Sequence, residues 1–229
     1  KKSFTLDNQK RDQMIHNFGT GHSLVQQWVR ELRDVDLQQD RMRFRKNLGR
    51  IAEVAALEIS KQLKWREVTI ETPLTTTKAF ELEEQPVIIS ILRAGVPMHQ
   101  GLLNYFDQAD NGFISAYRKH DESGNFIIQV EYVSTPAFEN RVLILADPML
   151  ATGSSMVLTL EELVKLQQPR EIHLVCAIAA QPGIDLVHRA HPDVKIWTGE
   201  IDPELFCRCF IVPGLGDAGV LAFGPKIQA

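Results

Sequence analysis

Apolar runs rich in β-branched residues alternate with segments of helical periodicity from residue 87 onward. The runs cover residues 87–92, 112–117, 141–146, 172–180 and 194–198. Because these runs are apolar on both faces, they are typical of parallel strands that are covered by helices. The pattern predicts an α/β fold with an open, mainly parallel sheet of about five strands flanked by helices.

A helix is predicted over residues 154–168, between the third and fourth strands, because apolar residues recur there at helical spacing. The apolar stripe consists of Met156, Leu160, Leu163 and Val164. On the outer face, Glu161 and Lys165 are spaced for an i,i+4 ion pair. The two strands and this helix form a βαβ unit, for which we expect a right-handed crossover.

A second helix is predicted over residues 40–63, before the sheet. Its buried face consists of Phe44, Leu48, Ile51, Ala55 and Ile59. Its arginines are Arg41, Arg43, Arg45 and Arg50. The simplest interpretation of these arginines is a solvated face, and a ligand or effector site is the alternative.

Residues 117–133 contain two extended arms around the turn sequence Asp-Glu-Ser-Gly. We therefore expect a β-hairpin that protrudes from the α/β domain, and such a hairpin is a candidate lid over a ligand site.

Composition favours a small-molecule ligand over a polyanion or a membrane. The chain of 229 residues has 25 basic and 29 acidic side chains and a formal net charge of −4, so attraction to nucleic acid or anionic lipid is not expected. No stretch has the length of a membrane span or the character of a signal peptide, which predicts a cytoplasmic protein. Cys176 lies in an apolar run, and Cys207 and Cys209 lack the second pair or nearby histidines that a metal site would need.

Three charged side chains follow strands of the predicted sheet. Arg93 follows the first strand, Arg118 follows the second and Asp147 follows the third. In open parallel sheets, ligands bind outside the carboxyl ends of the strands. These residues therefore predict a site at one edge of the sheet, although an arginine at a strand end is often only solvated.

The segment after Asp147 has the features of a sugar-phosphate site. The sequence MLATGSS leads into a helix start, where free backbone N–H groups and the hydroxyls of Thr152, Ser154 and Ser155 can surround a phosphate. Asp147 would repel a phosphate but can accept hydrogen bonds from the two hydroxyls of a ribose. The pattern favours a ribose 5-phosphate site, and the alternative is that Ser154 and Ser155 merely cap the helix.

The glycine-rich segment 210–219 predicts a base-recognition loop. Glycines in PGLG expose the main chain, so a flat ligand can approach its donors and acceptors. Gly214, Gly216 and Gly219 match the dinucleotide pattern G-x-G-x-x-G, but only ten residues follow Gly219, too few for a βαβ unit. A P-loop motif is also absent from the sequence.

These motifs together resemble those of the uracil phosphoribosyltransferases. LILADPMLATGSSM resembles the family's motif for phosphoribosyl diphosphate (PRPP), and FIVPGLGDAG resembles its uracil loop. ILRAGVPM, AYR, AHPDV and RFR match as well, so the likeness spans about residues 40–224. The resemblance implies one domain over 1–229, with a core of about 41–200 and a hood from 1–40 and 201–229.

The resemblance also implies the reaction, in which uracil and PRPP give uridine monophosphate (UMP) and pyrophosphate in pyrimidine salvage. Arg93, Arg118, Asp147 and Asp217 would be catalytic, and all four would contact PRPP. The remaining PRPP contacts would be Pro148, Met149, Leu150, Ala151, Thr152, Gly153, Ser154 and Ser155. Uracil would be held by Ile211, Gly216, Asp217 and Ala218, largely through main chain.

Mg²⁺ is the implied cofactor, bound through the pyrophosphate of PRPP and water rather than directly by the protein. A homodimer or higher homo-oligomer is implied, with no nucleic-acid or membrane partner. Val220 and Leu221 stand where the family has an acidic and a basic residue, and Phe210 replaces its tyrosine. The main-chain contacts to uracil should survive these changes.

Two other functions stay open at this point. One is a phosphoribosyltransferase fold that senses pyrimidine nucleotides and regulates RNA, with weak or no catalysis. The other is a phosphoribosyltransferase for another base, such as a purine.

Overall fold

A mainly parallel sheet with helices on both faces forms the centre of the structure, a computed structural model. It describes residues 13–120, 126–206 and 210–225, with side chains omitted at 116–120 and 126–131. The predicted turn at 121–124 and the residues Cys207 and Cys209 lie outside the described residues.

The strands and helices follow one another along the chain with short connections. The strands are β1 (Ile15–Asn17), β2 (Trp65–Glu71), β3 (Thr76–Leu82), β4 (Val87–Ile91), β5 (Asp110–His120), β6 (Phe126–Ser134), β7 (Val142–Ala146), β8 (Met149–Leu150), β9 (Glu171–Ala180), β10 (Lys195–Asp202), β11 (Glu204–Phe206) and β12 (Phe210–Val212). The α-helices are α1 (Leu24–Arg33), α2 (Arg41–Ser60), α3 (Val96–Leu103), α4 (Ser154–Leu166), α5 (Gln181–Ala190) and α6 (Ala218–Phe223), and a 3₁₀ turn covers Leu37–Gln39.

The central sheet contains the five predicted strands in the order β10-β9-β7-β4-β5, all parallel. The predicted fold class is confirmed. Two further strands extend the edges, since β1 pairs in parallel with β10 and β6 pairs antiparallel with β5. The short strand β8 pairs with the far end of β9.

Alternation along each strand sends successive side chains to opposite faces, and both faces are buried. Ile88 packs in the cluster that contains α1, α2 and α3, whereas Val87 and Ile89 pack in the cluster that contains α4 and α5. The ends of the strands are consequently held between two helical layers, and the loops that follow them share one edge.

Helix α2 buries the face that the sequence predicts, but its arginines are not simply solvated. Arg43 forms a salt bridge with the buried Glu31 of α1 over 2.8 Å. Arg45 donates to the carbonyl oxygen of Ala222 in α6 over 2.8 Å, and Arg50 donates to Asn47 over 2.9 Å. Arg43 and Arg50 are exposed, as the predicted solvated face requires, although each also binds an acceptor within the chain, whereas Arg45 is half-buried.

Helix α4 buries Met156, Leu160 and Leu163, as predicted, whereas Val164 of the predicted stripe is only half-buried. The predicted pair of Glu161 and Lys165 is wrong, because Lys165 instead donates to Glu162 over 2.7 Å. The i,i+3 spacing also brings side chains together on one helix face.

Strands β5 and β6 form the predicted hairpin, with a register shift between Ser115 and Ala116. Its role as a lid stays a prediction. A second hairpin, β2–β3, was not predicted and is largely exposed on both faces. The division into core and hood also stays a prediction, and β1 joins the central sheet although its residues belong to the range 1–40. Within the described ranges, no helix combines the length and the apolar composition needed to cross a membrane.

Candidate active site

The turn Arg93-Ala94-Gly95 follows β4 and packs against the end of β7. A Cβ atom at Gly95 would overlap the carbonyl oxygen of Ala146, so only glycine permits this approach. The turn therefore lies beside Asp147, which directly follows Ala146. The guanidinium of Arg93 is at the exposed side of the turn and donates through Nη2 to the carbonyl oxygen of Gly224 over 2.9 Å.

Asp147 is a half-buried carboxyl group with spare capacity to accept hydrogen bonds. Among the described residues it accepts one hydrogen bond, a long one of 3.5 Å from the N–H of Met149. Burial raises the pKa of Asp147 to about 7, and the contact with Met149 only partly opposes this effect. A ligand that brings two hydroxyl donors would therefore stabilise its ionised form.

The loop 151–153 presents backbone donors at the start of α4. Gly153 is the N-cap residue, with φ of +82°, and makes no side-chain capping hydrogen bond. The alternative in which Ser154 and Ser155 cap the helix is therefore wrong, since both serines lie inside its first turn. Within the described part of the chain, the N–H groups of Gly153, Ser155 and Met156 have no acceptor. This is the arrangement that binds phosphate at helix N-termini.

The loop is held close to α5 by two glycines. A Cβ atom at Gly153 would lie 2.7 Å from the carbonyl oxygen of Gly183, and a Cβ atom at Gly183 would overlap the carbonyl oxygen of Ala151. The hydroxyl of Thr152 accepts from the N–H of Ser154 over 3.3 Å. Thr152 thus stabilises the turn, while the N–H groups of Gly153, Ser155 and Met156 stay available to a ligand.

The predicted base loop runs from β12 to α6. Ile211 is buried in β12, and Ala218 is buried at the start of α6. Gly216 is exposed with φ of +89°, and its N–H donates to no residue that the structure describes. Asp217 caps α6 by accepting from the N–H of Val220 over 2.9 Å.

The start of α6 lies beside the turn that carries Arg93. A Cβ atom at Gly219 would lie 4.0 Å from the Cβ of Ala94. The structure thus brings together Arg93, Asp147 and the C-terminal loop with Asp217. The backbone of Arg118 lies in β5, but its side chain is outside the described residues, so its predicted contact stays a prediction.

The site contains contacts that the sequence did not reveal. Arg33 of α1 and Asp202 of β10 form an ion pair, and both hydrogen-bond the main chain of Gly214. We call Arg33, Asp202 and Gly214 the Gly214 clamp. No motif marks these residues, because 169 positions separate the two charged partners.

The described residues contain no group of three or more His, Cys, Asp or Glu side chains that could hold a metal ion. Of the carboxylates near the site, Asp147 is half-buried, Asp217 caps α6 and Asp202 is paired with Arg33. This donor set fits an Mg²⁺ ion that arrives with substrate phosphates and water, because Mg²⁺ retains water and binds through few carboxylates.

Comparison with known proteins places the chain in a family. The family model "Uracil phosphoribosyltransferase" matches residues 19–225. The uracil phosphoribosyltransferase of Porphyromonas gingivalis is 46% identical over 216 residues, covering 94% of this chain and all of the relative. That of Methanococcus vannielii is 39% identical over 196 residues, covering 84% of each chain.

A solved structure also matches most of the fold. The AQ2163 protein from Aquifex aeolicus superposes with a TM-score of 0.81 at 28% identity, covering 94% of this chain and all of that chain. The prediction from the sequence motifs is confirmed: the chain belongs to the uracil phosphoribosyltransferase family, whose members are pentosyltransferases.

Proposed function

We propose that this chain transfers the phosphoribosyl group of PRPP to N1 of uracil, giving UMP and pyrophosphate. The observation that carries the proposal is the position of Asp147, a half-buried acceptor with spare capacity that lies shortly before a loop in which the N–H groups of Gly153, Ser155 and Met156 have no acceptor among the described residues. A carboxylate for ribose hydroxyls followed by amides for a phosphate matches the two ends of ribose 5-phosphate.

Asp147 and the loop 151–155 would anchor the sugar. The amides of Gly153, Ser155 and Met156 would donate to the 5′-phosphate, and the dipole of α4 would favour its charge. The carboxylate of Asp147 would accept from the 2′- and 3′-hydroxyls. With both ends of the sugar held, C1′ keeps a fixed position between the leaving and attacking groups, and this positioning lowers the barrier.

The loop 211–218 would read the base through main chain. The free N–H of Gly216 would donate to O4 of uracil, and a carbonyl near Ile211 would accept from N3–H. Cytosine has a donor at the position of O4 and an acceptor at N3, so it would leave these buried polar groups unpaired. The side chain of Leu221 lies 3.8 Å from a Cβ position at Gly216, at ordinary packing distance from the loop.

Arg93 and Arg118 would bind the pyrophosphate that leaves C1′ as N1 of uracil attacks from the opposite face and releases its proton to water. Arginine suits this role because its guanidinium donates to two phosphate oxygens at once. Mg²⁺, when bound with PRPP, would neutralise part of the charge on the leaving group. The hydrogen bond from Arg93 to the carbonyl oxygen of Gly224 holds its guanidinium beside the end of α6.

Removal of Mg²⁺ is expected to abolish turnover without changing the stability of the substrate-free protein. The described residues offer no metal site of their own, so the ion would bind through PRPP. UMP formation and thermal unfolding should both be measured with a chelator and after Mg²⁺ is restored. A chelator that lowers the unfolding temperature of the substrate-free protein would contradict this view.

The proposed function is tested by measuring UMP and pyrophosphate from uracil, PRPP and Mg²⁺, with cytosine and hypoxanthine as competing bases. We expect kcat/KM for uracil to exceed the others by about 100-fold or more. Equal use of hypoxanthine would overturn the proposal in favour of another base. RNA binding that weakens with salt, without turnover, would support the regulatory alternative.

The regulatory alternative has little support in the described surface, because Arg43, Arg45 and Arg50 are engaged in contacts within the chain. A homo-oligomer and a cytoplasmic location stay predictions from the sequence.

A further inference from the structure

The Gly214 clamp is built on an ion pair that is largely removed from water. Arg33, in the last turn of α1, donates through both Nη atoms to the carboxylate of Asp202 over 2.6 and 2.8 Å. The side chain of Asp202 is 4% exposed and that of Arg33 is 20% exposed. Because two parallel hydrogen bonds join a planar guanidinium to a carboxylate, the pair has a defined geometry that a solvated pair lacks.

The ion pair fixes the donor and the acceptor of a single loop residue. Asp202 Oδ2 accepts from the N–H of Gly214 over 2.9 Å, and Arg33 Nη1 donates to its carbonyl oxygen over 3.0 Å. Within the described ranges, no other hydrogen bond reaches the main chain of residues 213–216. The polar anchoring of this segment therefore depends on two side chains from α1 and β10.

Gly214 lies between the two main-chain groups that would recognise the base. Ile211 precedes it by three residues and Gly216 follows it by two. The separation of these two groups decides whether one base can satisfy both. Hydrogen bonds to both the N–H and the carbonyl oxygen of Gly214 fix that separation. Without them, the loop could move and form hydrogen bonds with cytosine or water instead.

We infer that Arg33 and Asp202 are specificity-determining positioning residues, which set the spacing of the base-reading groups without touching the base. The inference rests on the proposed function. It predicts that weakening the clamp impairs the use of uracil and the rejection of cytosine. Among the described residues, no hydrogen bond or ion pair joins the clamp to the PRPP site after β7 and at the start of α4, so that site should be little affected.

The test measures steady-state kinetics of Arg33→Lys with uracil and PRPP varied separately, and with cytosine as competitor. Lysine keeps the charge but lacks the planar fork that serves Asp202 and Gly214 together. We expect KM for uracil to rise about 10-fold or more and the preference for uracil over cytosine to fall about 10-fold or more. KM for PRPP should stay within about 2-fold of the wild type, since α4 and β7 are unchanged.

Asp202→Asn is the second variant, because it is isosteric and removes one charge-assisted acceptor. Arg30→Lys is the matched control: it lies in the same helix, is 67% exposed and approaches Asp34 only at 4.0 Å. We expect the control to behave as the wild type and Asp202→Asn to behave as Arg33→Lys.

The inference is overturned if a folded clamp variant keeps the wild-type KM for uracil and its preference over cytosine. It is also overturned if both Michaelis constants worsen together in step with a lower unfolding temperature, or if neither variant folds, because the pair would then serve only the fold. A wild-type chain that fails to use uracil would instead overturn the proposed function, on which the inference rests.

Discussion

Replacement of Gly216 by valine is expected to lower kcat/KM for uracil by about 10³-fold or more, because it removes a main-chain donor that the base needs. Gly216 has φ of +89°, a conformation that is strongly unfavourable for a β-branched residue. The valine would therefore shift the peptide and also cover it with methyl groups. PRPP binding, measured by calorimetry, should persist because the loop 151–155 is untouched.

Gly21→Val is the matched control for backbone strain. Gly21 has φ of +102°, lies between β1 and α1, and has no atom within 4 Å of its Cβ position. The same strain at this position should leave uracil turnover near the wild-type value. Normal uracil turnover by the Gly216→Val variant would remove the assignment of the base loop.

Asp147→Asn is expected to lower kcat/KM for PRPP by about 10- to 100-fold, the effect of losing hydrogen bonds to a charged acceptor. Because kcat/KM reports ionisation of the free enzyme, kcat/KM of the wild type for PRPP should rise with pH through about 7, where Asp147 ionises. The variant should lack this limb of the pH profile. Asp107→Asn, which changes an exposed aspartate, should match the wild type in both respects.

The same substitution should stabilise the fold at high pH. The pKa of Asp147 is raised by burial from 3.8 to about 7, so its protonated form favours the folded state. This contribution is fully present below pH about 3.8 and is lost as the pH rises through about 7. Asparagine does not titrate, so the variant's gain in unfolding free energy over the wild type should be larger at pH 8 than at pH 5. Unfolding by urea at both pH values measures this difference. If the variant lost activity but showed no such gain in stability, ionisation of Asp147 would not destabilise the folded wild type.

Hydrophobic periodicity predicted the parts of the fold that are buried on a consistent face. The five central strands are apolar on both sides, and α2 and α4 repeat their apolar residues over several turns. Strand β1 has three residues, too few for any repeat to be recognised. The hairpin β2–β3 is exposed on both faces, so no contrast between its faces appears in the sequence.

The candidate site was predictable where its chemistry is local in sequence. Asp147 and the following loop lie within nine residues, and strand order places Arg93 beside them. The hydrogen-bond acceptors of Arg33 and Arg45 could not be predicted, because they lie far away in the sequence and come close only when the chain folds. Gly153 at the N-cap was also missed, since serines beside it offered the more usual capping residue.

The contact between Gly153 and Gly183 has a consequence for how the sugar phosphate would be received. The main chain of the loop rests directly against the main chain at the start of α5, and this close packing restricts the movement of its amides. The donors are therefore preorganised, and little reorganisation energy is needed when an anion enters. Any larger residue at Gly153 or Gly183 would push the loop away from α5, and the phosphate-binding amides would then lose their fixed positions.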